Sequence, residues 1–155
     1  MKPYADTNFF TRVYLELPES AQADRLLAAA RAGDSAPLPV TWLHRMELSN
    51  AFERSIWLGK QGGHPNISPQ QADVAHATFK QDLQANTFLL AARPDVTALE
   101  AMFDETAVRQ TARHGFRTYD ILHVASARIL GCDHFFSFDR RARKLAALEG
   151  LAVTV

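Results

Sequence analysis

The chain has 155 residues, 47% apolar and 22% charged, with 17 Lys and Arg against 17 Asp and Glu. That length and balance suit a single globular domain over residues 1–155, with a core large enough to do without disulfides. Zero net charge excludes a protein that coats nucleic acid by charge alone, the absence of a ~20-residue apolar run excludes a membrane-spanning helix, and the one cysteine, Cys132, excludes an intrachain bridge.

Residues 2–5 read as a short buried strand, followed at once by Asp6-Thr7-Asn8 and a helix carrying Phe9, Phe10, Val13 and Tyr14. Pro18 opens a second helix to about Ala32, which Gly33 stops. Pro37–Thr41 reads as a strand. Thr41 caps a helix from Trp42 to about Leu58, ended by Gly59, Gly62, Gly63 and Pro65 in what looks like an enlarged loop. Ser68-Pro69 starts another helix, with Ala72, Ala75, Phe79 and Leu83 on one face. These two helices, about 42–86, form an inserted helical clip. Residues 87–91 (TFLLA) are a strand, or alternatively a buried helical turn. Asp95 caps a helix running unbroken to His114. Thr118 caps the next, to Leu130, and Gly131 ends it. The strand HFFSF (134–138), a helix opened by Asp139 and a closing strand at 151–155 complete the chain. Strands alternating with helices predict an α/β architecture: three layers, α/β/α, around a mainly parallel sheet of about five strands.

In open α/β sheets, ligands bind beyond the carboxyl ends of the strands. Asp6 and Asp139 sit at such ends, and Asp120 lies in a first helical turn. Each taken alone is also a good helix cap or dipole partner. Glu47 lies beside the apolar face of its helix, where a carboxylate needs a partner, either Arg54 or a metal ion. Clustered carboxylates without histidine or cysteine make an oxygen-only site, suited to Mg²⁺ or Mn²⁺ rather than zinc. The six histidines (His44, His64, His76, His114, His123, His134) have no metal-ligand spacing and read mostly as surface or helix-packing residues. Residues 113–144 hold seven basic and three acidic residues, against three and six in 61–112. This basic third is either a solvated helix surface or a face for phosphates.

The ordered set Tyr4-Ala5-Asp6-Thr7-Asn8, Glu47 within LHRMELSNAF, Arg117-Thr118-Tyr119-Asp120-Ile121-Leu122-His123-Val124-Ala125 and Ser137-Phe138-Asp139, with the closing strand behind it, resembles the PIN domain. The resemblance covers nearly the whole chain and is to the VapC-type toxins of bacterial toxin–antitoxin pairs. It implies a Mg²⁺- or Mn²⁺-dependent endoribonuclease acting on single-stranded RNA regions. Asp6, Glu47, Asp120 and Asp139 would be the catalytic, metal-holding quartet, with Thr7, Asn8 and Ser137 as supporting polar groups. It also implies a small antitoxin partner and a homodimer. Arg117, Arg140 and Arg141 flank two of the acids and are the candidates for RNA phosphate contact. Arg140 and Arg141 stand where some relatives carry a further acid, which leaves one or two metals open. The first ten residues, MKPYADTNFF, lack the apolar core of a secretory leader, so the expected location is the cytoplasm. The alternatives are a housekeeping RNA-processing nuclease and a catalytically inactive RNA- or partner-binding module. A phosphatase with an aspartyl nucleophile is disfavoured, because residue 8 is Asn where a second Asp is needed.

Overall fold

The computed structural model describes residues 1–33, 35–63 and 65–155; His64, one of the six histidines, lies outside them. The order is β1 (Pro3–Ala5), α1 (Thr7–Tyr14), α2 (Ser20–Ala32), β2 (Leu38–Val40), α3 (Trp42–Lys60), α4 (Pro69–Ala85), β3 (Leu89–Ala91), α5 (Val96–Thr106), a π turn (Ala107–Thr111), α6 (Ala112–His114), α7 (Thr118–Ile129), β4 (His134–Phe136), α8 (Arg140–Leu148) and β5 (Ala152–Thr154). No helix among the described residues is long and apolar enough to cross a membrane.

The class is α/β, with every strand pairing parallel. The strands form two ladders, β1-β4-β5 and β2-β3, instead of one continuous five-stranded sheet. Proline explains the break. Leu38 N–H donates to Phe88 O and Ala92 N–H to Val40 O, so Leu38 and Val40 bond toward β3, and the one backbone bond to the β1 side lies ahead of the strand, from Ala36 N–H to Met1 O. Pro37 and Pro39 therefore turn toward β1. In β1 the even residues serve β4, through Asp6 N–H to Phe136 O and Asp133 N–H to Lys2 O, which leaves Pro3 and Ala5 facing β2. Three of the residues on this seam have no N–H to give. A side chain fills the deficit. His44, fully buried, donates from Nε2 to Ala5 O at 2.8 Å and accepts Thr41 N–H at Nδ1 at 3.0 Å. Burial, followed by the nearby His123, holds its pKa well below the usual histidine value, so the ring is neutral.

Alternation along the strands sends side chains to both faces. Ala5 and Phe136 face a cluster with Phe9, Phe10, Leu48, Phe52 and Phe79, supplied by α1 to α4. Tyr4 and Phe135, stacked at 5.7 Å between ring centres, face a second cluster with Ile121, Val124, Leu145 and the buried Cys132. α3 and α4 contribute Phe52, Ala72, Ala75 and Phe79 to the first cluster, and Tyr14 O–H ties α1 to Asp82 on α4 at 2.9 Å.

Three local expectations are corrected. Pro18 does not begin α2, which starts at Ser20; Ser20 Oγ donates to Leu15 O and accepts Leu17 N–H, closing the turn ahead of the helix. The helix expected to run unbroken from Asp95 to His114 contains the π turn at 107–111, which offers Arg109 and Gln110 to Glu149. That Glu149 side chain, 2% exposed, also takes Arg128 at 2.7 Å, so the wider turn satisfies a buried carboxylate. Finally, the cap of α7 is Arg117 and not Thr118, which is already its first helical residue.

Replacing His44 by Leu keeps the volume but orphans Ala5 O and Thr41 N–H at the seam. The expected loss is about 2–6 kcal/mol, from roughly 1–3 kcal/mol for each of the two buried groups left unpaired. Urea denaturation at pH 7.5 measures it.

Candidate active site

The register of β1 on β4 pairs Ala5 with Phe136, so the residues that follow the two strands meet. Asp6 and Ser137 are those residues. Asp6 accepts Phe9 N–H at Oδ1 (2.9 Å), capping α1, and Ser137 O–H at Oδ2 (2.6 Å). Ser137 Oγ in turn accepts Asp139 N–H (2.9 Å), and Asp139 Oδ1 caps α8 through Arg141 N–H at 2.7 Å. Asp120, the third residue of α7, reaches back from Oδ2 to Arg117 N–H at 3.0 Å. Three acids are therefore held by helix starts, where backbone N–H groups and the helix dipole favour negative charge.

Glu47 arrives differently, from the second turn of α3. Its Oε2 accepts Thr7 O–H at 2.7 Å and faces His123 Nε2 at 2.5 Å. Its partner is thus His123 with Thr7, and Arg54 is not. The four acids line one cavity of about 190 Å³ together with Thr7, Asn8, Arg117, Tyr119, His123 and Ala142.

The electrostatics reflect burial first and neighbouring carboxylates second. Burial pushes Asp6 up to about 6, against the pull of His123, Ser137 and Phe9 N–H, and the Asp139 charge adds to the rise. Burial also raises Asp120, again with a contribution from Asp139; Arg117 and Arg141 only partly offset it. Glu47 goes the other way. Its burial would raise it, but the hydrogen bond and charge of His123, with Thr7, hold it below the usual carboxylate value. Two carboxylates thus resist ionisation where a third is held ionised.

Among the described residues no three His, Cys, Asp or Glu side chains are close enough together to hold an ion by themselves. The donor set nevertheless fits a hard cation that keeps several of its waters. The groups facing the cavity are mostly oxygens. Among the described residues Glu47 Oε1, Asp120 Oδ1 and Asp139 Oδ2 have no hydrogen-bond partner, and Asn8 Oδ1 is buried without one.

The remaining sequence candidates fall as follows. Arg117 lines the cavity. Arg141 lies near enough to lower the Asp120 pKa, and its Nη1 donates to Gly115 O at 3.3 Å. Arg140 is exposed and outside the cavity lining. A groove of about 640 Å³ continues from the cavity through the shared residues Thr7, Asn8, Glu47 and Tyr119, and reaches Arg12, Trp42, Asn50 and Arg54. Sequence reasoning missed His123 as a site residue. The available signal was its position three residues after Asp120, on the same face of α7.

The comparisons with known proteins agree on the architecture. A family model described as the PIN domain matches residues 4–148. The structure is similar to VapBC2 from Rickettsia felis, solved bound to a DNA fragment from its promoter, with TM-score 0.65 and 12% identity over 99% of this chain and 98% of that one. It is similar to VapC20 of Mycobacterium tuberculosis, a sarcin–ricin-loop-cleaving toxin, with TM-score 0.62 and 19% identity over 99% of both chains. FitAcB from Neisseria gonorrhoeae gives TM-score 0.61 and 16% identity over 99% and 96%. No curated protein matches the sequence.

The raised Asp6 pKa carries a signed stability effect. An acid whose folded pKa is about 6 against an ordinary 3.8 binds its proton more tightly in the folded protein. Its stabilising contribution is complete below 3.8 and is lost as pH rises through 6. Asp6→Asn is neutral throughout and can still accept Phe9 N–H. Without divalent metal, this variant should therefore melt above the parent at pH 7.5, and the gap should close as pH falls from 7 to 4. A differential scanning fluorimetry series with EDTA reads this directly.

Proposed function

From the premise that this chain belongs to the PIN domain family, we propose that it is a divalent-metal-dependent endoribonuclease and the toxin of a toxin–antitoxin pair. The observation that carries the reading is the convergence of Asp6, Glu47, Asp120 and Asp139 on one cavity from four separate elements. Asp6, Asp120 and Asp139 would hold Mg²⁺ or Mn²⁺. When bound, the cation offsets the carboxylate repulsion, lowers the pKa of water and polarises the scissile phosphate. Glu47, kept ionised, would reach the cation or the attacking water through Oε1. Attack on phosphorus in line expels the 3′-oxygen and leaves 5′-phosphate and 3′-hydroxyl ends. Thr7 and Ser137 hold Glu47 and Asp6 in place.

The groove past Trp42 and Tyr119 suits the unstacked bases of single-stranded RNA, because exposed aromatic faces accept any base. Arg117 and Arg141 would meet the backbone, and Arg140 would contribute less. The solved neighbours include VapBC2, and this supports a small antitoxin as partner. A homodimer and a cytoplasmic location belong to the same reading. The alternatives remain a housekeeping PIN nuclease and an inactive binding module; strong Mn²⁺ binding would argue against the latter.

Incubation with single-stranded RNA tests the proposal. Cleavage should require Mg²⁺ or Mn²⁺, stop with EDTA and fall by at least about 100-fold in Asp120→Asn, the scale expected when one element of the catalytic electrostatics is lost. Cleavage in EDTA, or 2′,3′-cyclic phosphate ends, overturns it. Salt dependence of RNA binding provides a second check. Arg117→Ala and Arg141→Ala should each flatten the log–log slope by about 0.7–1 per lost phosphate contact.

A further inference from the structure

We infer that His123 is a positioning residue: it holds Glu47 so that a single carboxylate oxygen is presented to the cavity, and Tyr4 sets the ring that does so. The inference rests on the nuclease reading above and assigns a role to a buried histidine which that reading does not need. The geometry is a chain of four side chains from four elements. Tyr4 O–H lies 2.9 Å from His123 Nδ1, His123 Nε2 lies 2.5 Å from Glu47 Oε2, and Thr7 O–H donates to the same Oε2 at 2.7 Å. Ionised Glu47 only accepts, so the hydrogen between it and His123 belongs to Nε2. Tyr4 O–H, bonded to Nδ1 on the opposite edge, fixes the ring orientation that serves Glu47.

The ring has no freedom to leave. Its side chain is 5% exposed, and it packs against Tyr4 and against His44, with ring centres 5.8 and 4.9 Å away. His44 is itself tied to Ala5 O and Thr41 N–H. Glu47, by contrast, is 23% exposed on the open side of α3 and has the torsional freedom of a long side chain. With Oε2 occupied twice, only Oε1 is left without a partner among the described residues. Glu47 is therefore a one-oxygen contributor in a fixed orientation and not a two-oxygen clamp. An outer-shell group that orients a metal-site carboxylate in this way changes metal affinity or activity by roughly 10- to 100-fold when lost.

The test uses the full chain with Mn²⁺ as probe, free Mn²⁺ being followed by electron paramagnetic resonance and cleavage by single-turnover assay on a single-stranded oligonucleotide. His123→Leu should weaken Mn²⁺ binding and slow cleavage, each by roughly 10- to 100-fold. His123→Gln, which keeps a donor near Nε2, should restore most of both. In a Glu47→Gln background His123→Leu should cost nothing further, because the group it positions is already changed. A histidine that merely fills the core would give the same loss in either background and no rescue by Gln, and that result overturns the inference. If His123→Leu fails to fold, Tyr4→Phe removes one hydroxyl at constant shape. It should give a smaller loss in the same direction that also disappears with Glu47→Gln, and unchanged Mn²⁺ affinity and cleavage in Tyr4→Phe overturns the inference. An active parent with an additive cycle defeats the positioning role alone. A parent that neither binds Mn²⁺ nor cleaves RNA defeats the nuclease reading and this inference with it.

Discussion

The site depends first on the parallel pairing of β1 with β4. In that register Ala5 lies opposite Phe136, and Asp6 N–H closes the ladder on Phe136 O at 3.1 Å. Everything at the head of the cavity follows from this one alignment. Asp6 and Ser137, 131 positions apart in the chain, come within 2.6 Å, and Asp139 is drawn in because its N–H donates to the same Ser137 oxygen. A slip of one residue would turn Tyr4 and Phe135 toward the wrong core and separate Asp6 from Ser137. The two aromatic clusters on opposite faces of the ladder resist that slip, since Ala5 and Phe136 are committed to one of them and Tyr4 and Phe135 to the other.

Helix capping and the proposed chemistry use the same carboxylates without conflict. A cap needs one oxygen, and a carboxylate has two. Asp120 and Asp139 each give one oxygen to a helix start and leave the other without a partner among the described residues. Asp6 is the exception, with both oxygens engaged. It is also the acid that burial pushes furthest, to about 6. The fold thus buries Asp6 and Asp120 near the Asp139 charge at a cost, which a cation would relieve, while His123 lets Glu47 stay ionised beside them.

The legibility of the site follows from how each residue is held. Asp6 and Asp139 were readable because strand-end acids that open helices are local features. Asp120 is readable from its place in a first turn, although the sequence points to Thr118 as the cap where Arg117 serves. Glu47 needs a partner by its place beside an apolar helix face, but His123 lies 76 positions away and carries no local mark beyond its spacing from Asp120. The π turn escaped for the same reason. Nothing within residues 95–114 announces it, because the carboxylate it serves belongs to Glu149.

The amino-acid sequence by itself determined the alternation of strands and helices, the faces that enter the core and the acids at element ends. These depend on periodicity, capping chemistry and turn residues within a few positions of one another. Only the tertiary structure decided which strands pair and where the sheet divides. Pro3, Pro37 and Pro39 are plain in the sequence, yet their missing N–H groups matter only because all three face one seam, which His44 then bridges. The same holds for the site: four acids are a composition until β1, α3, α7 and the start of α8 bring them to one cavity. Long-range register and packing, not local preference, decide that convergence, and these are properties of the whole chain at once.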